Sequence, residues 1–182
     1  MMPHIVNPFV MWILIVLGGA AIFFGFDAVM ILPRTDLSHV FFAISLFYWF
    51  FFIISALREN ASVVRSVAGV QSLVKTGIYA RVRHPIYSAD IFLMWGIYFM
   101  IPTFPMLLTV FWFILVVILW TRLEEECLAK RFKVAYKSYR VQVPMMIPQI
   151  WRTKKVWVSR KKKAKVKTKK IVENSTDAES KM

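Results

Sequence analysis

A short polar segment, Gly77–Tyr87, interrupts the long apolar runs of this chain and carries the side chains best suited to chemistry. It reads G-I-Y-A-R-V-R-H-P-I-Y and contains Arg81, Arg83 and His84. Polar groups at bilayer depth are costly unless they are paired or line a cavity. This segment, called the polar island below, is therefore the first candidate for a functional site.

A second polar stretch, residues 122–139, carries two adjacent carboxylates, Glu124 and Glu125, near its start. Its apolar residues recur at steps of four, three, one and three: Leu128, Phe132, Ala135, Tyr136 and Tyr139. This spacing is typical of one face of an amphipathic helix. The V-P pair at 143–144 and Pro148 predict the end of that helix, because proline removes a backbone donor and restricts the residue before it.

Four apolar segments position these two stretches. A helix needs about 20 residues to cross a bilayer, and the candidate spans are residues 9–32, 41–57, 86–101 and 104–121. Only two residues separate the last two spans, so we expect them to form an antiparallel helical hairpin. Folding the hairpin brings the polar island close to Glu124 and Glu125. The result is a pocket half within the membrane, which suits a polar cofactor meeting a lipid-borne substrate.

Asp90 is an acid inside the third apolar segment, three residues after Tyr87. Helical residues at a spacing of three share a face, so both side chains should line the same wall of the pocket. A carboxylate there can bind the cation of a lipid amine or accept its proton. The alternative is an ion pair between Asp90 and an arginine of the polar island.

The composition indicates an integral membrane protein. Of the 182 residues, 58% are hydrophobic, and they stand in blocks rather than being spread periodically. The single cysteine excludes an internal disulfide and a multi-cysteine metal site, and we expect no bound metal. We predict an all-α integral membrane fold with four transmembrane helices and a C-terminal cytoplasmic amphipathic helix. Residues 1–150 should form one domain, and residues 151–182 a basic, disordered cytoplasmic tail.

Charge predicts the orientation. The loop between the second and third segments has five basic residues against one acid, and the tail is more basic still. The positive-inside rule then places that loop and both termini in the cytoplasm, at the plasma membrane or the endoplasmic reticulum. Eleven of the 24 basic residues lie between Arg152 and Lys170, with no acid among them. We expect this tail to contact anionic membrane lipid, and we expect no nucleic acid as partner.

The chain resembles the integral membrane methyltransferases that include isoprenylcysteine carboxyl methyltransferases and phospholipid methyltransferases. Their first block, L-V-x-x-G-x-Y-x-x-x-R-H-P-x-Y, is matched by Leu73, Val74, Gly77, Tyr79, Arg83, His84, Pro85 and Tyr87. Their second, E-E-x-x-L-x-x-x-F-G-x-x-Y-x-x-Y-x-x-x-V-P-x-x-x-P, is matched by Glu124, Glu125, Leu128, Phe132, Tyr136, Tyr139, Val143, Pro144 and Pro148. The resemblance covers residues 71–148, and the two blocks stand in the right order on either side of the hairpin.

The resemblance implies S-adenosylmethionine as cofactor and a lipid or lipid-modified molecule as substrate. Carried over by position, the cofactor-binding residues are Gln71, Ser72, Leu73, Val74, Tyr79, His84, Pro85, Ile86, Tyr87 and Glu124. Arg83, His84 and Asp90 are the candidate catalytic residues, and Arg122 and Asp90 the candidate substrate contacts. Because methyl transfer from a sulfonium uses an activated donor, catalysis needs mainly orientation and exclusion of water.

Three positions depart from the related sequences. Carboxyl methyltransferases have an arginine four residues before the glutamate that matches Glu124, and Trp120 stands there in this chain. The glycine usual after Phe132 is Lys133, and the arginine frequent after the V-P pair is Met145. Cofactor binding is therefore better supported than methylation of a carboxylate, and a lipid amine stays open as the acceptor.

Two other functions remain open at the level of sequence. Membrane sterol reductases, which use NADPH, carry a related R-H-P-x-Y block and a similar ending. They usually have tryptophan and cysteine where this chain has Tyr136 and Leu128. The second alternative is a non-enzymatic membrane adaptor whose basic tail holds a partner or lipid.

Overall fold

The computed structural model describes residues 7–59 and 73–149. Within these ranges the elements are α1 (Pro8–Gly25), α2 (Asp36–Glu59), a 3₁₀ helix (Gly77–Ala80), α3 (Pro85–Met100) and α4 (Phe104–Gln142). The described ranges hold no strand beyond a single antiparallel bridge between Met30 and Thr103. The predicted all-α class is confirmed for this part of the chain. Gln71, Ser72 and the tail at 151–182 lie outside the described residues.

Three of the described helices, α1, α2 and α4, are long and apolar enough to cross a membrane. The surfaces of α1 and α2 expose large apolar side chains, such as Leu17, Phe24 and Phe47. An exposed apolar surface of this extent is unfavourable in water but suits the hydrocarbon core of a bilayer. The protein is therefore an integral membrane protein. α3 has only 16 residues and is shorter than the other three.

The sequence predicts a span over residues 9–32, but the helix does not extend to Leu32. α1 ends at Gly25, and Phe26 already has extended backbone angles, φ −127° and ψ 151°. The chain beyond runs beside the link between α3 and α4, where the Ile31 N–H donates to the Pro102 carbonyl at 2.8 Å. The apolar residues that follow the helix end are exposed, beside the link between α3 and α4.

The helices pack as two pairs, α2 along α3 and α1 along α4. Gly96 of α3 lies directly against Ser45 of α2, and a side chain at position 96 would overlap the serine hydroxyl. Gly18 of α1 faces the indole of Trp112 of α4, which donates a hydrogen bond to the Leu14 carbonyl at 3.1 Å. Small residues thus allow close approach within each pair.

α4 joins the fourth predicted span to the second polar stretch in one element of 39 residues. The exception is Lys133, whose φ of 43° and ψ of −116° are not helical and mark a kink. After the kink, Tyr136, Tyr139 and Val143 are buried together, whereas Ala135 is exposed. The change of backbone direction at Lys133 therefore decides which residues of the predicted apolar face are buried.

The chain after α4 returns to the polar island. Three backbone hydrogen bonds join the two stretches: Arg83 N–H to Pro144 O (2.9 Å), His84 N–H to Met145 O (3.1 Å) and Gln149 N–H to Arg81 O (3.0 Å). The hydroxyl of Tyr139 also donates to the carbonyl of Tyr79 at 2.6 Å. Two sequence blocks far apart along the chain are thereby fixed against each other.

Candidate active site

A cavity of about 410 Å³ lies where the polar island, the start of α3 and the polar part of α4 meet. Many of the side chains predicted from the sequence line it: Leu73, Val74, Tyr79, Arg83, His84, Pro85, Ile86, Tyr87, Asp90 and Glu124. Its volume is within the range of small-molecule sites in proteins, about 300–1,000 Å³. The two motif blocks therefore share one cavity.

Arg122 is the predicted site residue that the structure does not bring to the cavity. Its side chain is exposed, and it is absent from the cavity lining. Two steps along an α-helix rotate the side-chain direction by about 200°. Arg122 therefore points away from the face that presents Glu124. Gln71 and Ser72, predicted at the same site, fall outside the described residues.

His84 lies between the two glutamates of α4. Its Nδ1 is 3.7 Å from Oε2 of Glu124, and its Nε2 is 3.4 Å from Oε1 of Glu125. Arg83 forms an ion pair with Glu125, and Nε of Arg140 is 3.4 Å from the other oxygen of that carboxylate. Glu125 is therefore tied to the protein's own cations, whereas Glu124 faces the cavity.

Tyr87 holds Glu124 from the other side. Its hydroxyl donates to Oε1 of Glu124 at 2.8 Å, which joins the first turn of α3 to α4. The rings of Tyr87 and His84 are stacked, with centroids 5.8 Å apart and planes within 11°. Pro85, a favoured residue in the first helical turn, begins α3 between them. The helix start therefore sets both side chains around one carboxylate.

The two glutamates, which follow the apolar part of α4, differ in their electrostatics. Burial raises the pKa of Glu124, and the nearby His84 and the Tyr87 hydrogen bond offset this only in part. Burial also raises the pKa of Glu125, but the nearby His84 and the charge of Arg83 outweigh that effect and lower it overall. Glu125 stays ionised to lower pH, and Glu124 accepts a proton more readily.

Asp90 also lines the cavity, about one turn after Tyr87 on α3. Its side chain is buried, and its Oδ1 accepts a hydrogen bond of 2.7 Å from the indole N–H of Trp49 on α2. Its Oδ2 has no hydrogen-bond partner among the described residues. Sequence reasoning missed Trp49, because one tryptophan in an apolar aromatic span carries no signal of a polar role.

The other wall of the cavity is apolar. Trp12 of α1 lines it together with Ile53 and Leu57 of α2. Because α1 packs on α4 and α2 packs on α3, this apolar wall takes one helix from each pair. Neither Trp12 nor Ile53 could be singled out from the sequence, since both stand in uniformly apolar runs.

The fold and the cavity define an integral membrane protein with a polar site at one end of an apolar helical bundle. The sequence model of the phospholipid methyltransferase family matches residues 37–135, more than half of the chain, and the chain belongs to that family. The matched region includes α2, α3 and most of α4, so the family resemblance is confirmed. No curated protein and no solved structure matches the chain.

Proposed function

We propose that this protein transfers a methyl group from S-adenosylmethionine to a membrane-borne acceptor, either a lipid amine or the carboxylate of a prenylated cysteine. Membership of the phospholipid methyltransferase family implies a membrane methyltransferase that acts on lipids. The observation that carries the finer proposal is the approach of His84 to Glu124, 3.7 Å, across one cavity built from both motif blocks.

The residues present fit S-adenosylmethionine. Glu124 is a buried carboxylate that can accept hydrogen bonds from ribose hydroxyls or from an ammonium group. The hydroxyl of Tyr79 is buried and has no hydrogen-bond partner among the described residues, although the residue lines the cavity. The rings of Tyr79 and Tyr87 can lie against a sulfonium by the cation–π effect. Leu73 and Val74 add an apolar surface for a flat base.

The chemistry asks little of the protein beyond placement. S-adenosylmethionine, when bound, supplies a methyl group already activated on a sulfonium. Glu124, Tyr87 and His84 orient the polar end of the cavity, and the apolar side chains around them exclude water. Holding two reactants in the right orientation lowers the activation barrier by a large amount in reactions of this kind.

The acceptor would enter from the bilayer. Trp12, Ile53 and Leu57 form an apolar wall from two helices, α1 and α2, that pack on different partners. An acyl or prenyl chain can lie along such a wall while its polar end reaches the buried carboxylates. A substrate anchored in lipid would thus meet a polar cofactor at the end of the bundle.

We also propose four passes through the membrane, with both termini in the cytoplasm. α3 runs from the polar island to the opposite end of the bundle, where the bridge between Met30 and Thr103 joins the loop after α1 to the link before α4. The loop after α1 and the link between α3 and α4 therefore lie at one end of the bundle, and the cavity lies at the other. This arrangement supports a crossing of the membrane by α3. The basic residues near the cavity end favour the cytoplasmic side for it.

The basic tail, residues 152–170, lies outside the described part of the chain. We propose that it contacts anionic lipid, with each basic residue contributing about 1 kcal/mol near the surface. Such a contact would hold the cavity end of the protein against the leaflet that supplies the acceptor.

Photocrosslinking with tritiated S-adenosylmethionine tests the proposal on the purified protein in lipid nanodiscs. We expect labelling that excess NADPH does not compete, and that His84→Ala abolishes. His39→Ala is the matched control, because His39 is exposed on α2 and far from the cavity lining. Absent labelling with tight NADPH binding would favour a reductase, and absence of both would favour an adaptor; either result refutes the proposal.

A further inference from the structure

Asp90 is a buried carboxylate that lines the cavity, with one oxygen held by Trp49 and the other without a partner among the described residues. We propose that Asp90, positioned by Trp49, receives an amine headgroup of the acceptor lipid and takes the proton that its nitrogen must lose. The inference rests on the proposed function and deepens it, because it names the residue that meets an amine acceptor and takes its proton. Trp49 acts as a positioning residue.

The hydrogen-bond arrangement of Asp90 is what singles it out. The side chain is 6% exposed, and Trp49 fixes Oδ1 at 2.7 Å from another helix. Oδ2 is buried without a partner among the described residues, although the residue lines the cavity. An unsatisfied buried carboxylate oxygen is costly. A ligand that donates a hydrogen bond to Oδ2 would remove this cost.

A structural role for Asp90 would be an ion pair with an arginine of the polar island, and the structure does not show it. Arg83 is paired with Glu125 instead, and none of the described cations lies in an ion pair with Asp90. Acids within membrane segments are rare and mark functional sites by default. The carboxylate is therefore reserved for a group that comes from outside the chain.

The position of Asp90 separates it from the proposed cofactor end. It stands three residues after Tyr87, or about 4.5 Å further along α3, whereas Tyr87 is hydrogen-bonded to Glu124. The cavity thus presents two carboxylates, Glu124 beside His84 and Asp90 about one helical turn beyond Tyr87 on α3. A cationic amine complements this site, and an acceptor carboxylate would be repelled by it. Trp120 likewise supplies no positive charge for a carboxylate.

The step balances in protons and electrons. A primary ammonium gives one proton to the Asp90 carboxylate, which leaves a neutral amine and a carboxylic acid. The nitrogen lone pair then forms a bond to the methyl carbon, and the electron pair of the breaking carbon–sulfur bond stays on sulfur. The positive charge passes from sulfur to nitrogen. A proton later leaves the methylated nitrogen or Asp90 for the solvent.

The experiment compares two acceptors and three variants, with cofactor labelling measured in parallel. Purified protein is assayed with vesicles of phosphatidylethanolamine in phosphatidylcholine, and separately with farnesylcysteine in phosphatidylcholine vesicles. We expect wild-type protein to methylate the amine, and Asp90→Asn to lose about 100-fold in that rate with unchanged labelling by S-adenosylmethionine. Trp49→Phe should lower kcat about 10-fold with KM for the amine nearly unchanged. Ser88→Ala is a control on the same helix.

The outcomes separate this inference from the proposed function. Amine methylation that Asp90→Asn leaves within about 3-fold of wild type, or methylation of farnesylcysteine alone, overturns the inference while the methyltransferase assignment stands. Wild-type protein that S-adenosylmethionine does not label overturns the proposed function and the inference with it. A variant that loses labelling as well shows a structural role for Asp90, and that result also overturns the inference.

Discussion

Neighbouring glutamates on α4 show how a single step along a helix changes the role of a carboxylate. Glu125 is held by Arg83 and Arg140, and its pKa is lowered, so it acts as an internal tie between the motif blocks. Glu124 receives one hydrogen bond from Tyr87 and otherwise faces the cavity, with a raised pKa. Glu125 therefore fixes the site, and Glu124 is available to a ligand.

Replacing Glu124 by glutamine should weaken cofactor binding while leaving the protein folded and inserted. The variant keeps the shape but loses the charge that strengthens hydrogen bonds from a cationic ligand, so we expect about a 10-fold loss of affinity. Labelling by tritiated S-adenosylmethionine at increasing concentrations measures it. Glu126→Gln is the matched control, since Glu126 is exposed on the opposite side. Equal affinity in Glu124→Gln would remove this residue from the site.

Cofactor labelling should fall as the pH falls, because Glu124 accepts a proton. Its pKa is raised above the ordinary value of 4.5, so the loss should begin at a higher pH than for an exposed glutamate. The carboxylate, and with it the affinity, is fully present above the raised pKa and lost below it. The pH profile of labelling should flatten in Glu124→Gln. An unchanged profile in that variant would assign the effect to another group.

At the scale of elements, α4 has a kink at Lys133, where the backbone adopts angles that are unfavourable for lysine. Lys133 has a φ of 43°, in the region where a side chain is strained, and the related block usually has glycine at this position. The residue is exposed, so its side chain contributes little packing. The kink directs Tyr136 and Tyr139 into the interior, and the backbone strain at Lys133 is the cost of burying them.

Lys133→Gly should therefore stabilise the protein. Removing the side chain relieves the positive-φ strain, and we expect a gain of about 1 kcal/mol in the free energy of unfolding. Denaturation of the detergent-solubilised protein measures the gain. Lys133→Ala keeps a Cβ atom and should give none of it, so a glycine variant no more stable than the alanine variant would contradict the explanation.

What the sequence predicted, and what it could not, follows from which physical signals are local. The short link at Pro102 and the order of the motif blocks were enough to predict that His84 would approach Glu124. The end of α1 at Gly25 was missed, because the apolar run continues beyond it. The chain there forms backbone hydrogen bonds to the link between α3 and α4, and the local sequence does not reveal such a contact. The contact of Trp49 with Asp90 depends on the rotation of α2 against α3, which no pattern in a uniformly apolar span encodes.

At the scale of the whole molecule, the bundle has two chemically different ends. One end holds the cavity, the polar island and the chain around Pro144. The other joins the loop after α1 to the link before α4 through the bridge between Met30 and Thr103. The loop at Arg34 and Asp36 has balanced charge, whereas the cavity end is strongly basic. This asymmetry is what orients a membrane protein during insertion.

The orientation can be tested with single cysteines in a Cys127→Ser background, since Cys127 is the only cysteine of the chain. Arg34→Cys, in an exposed loop at the end opposite the cavity, should react with an impermeant thiol reagent added outside intact bacterial cells that express the protein in their plasma membrane. Lys75→Cys, exposed at the cavity end, should react only after the membrane is opened. Labelling of both from one side would mean that α2 does not carry the chain across. Labelling of Lys75→Cys alone from outside would invert the proposed orientation, and would turn the cavity away from the cytoplasm that supplies S-adenosylmethionine.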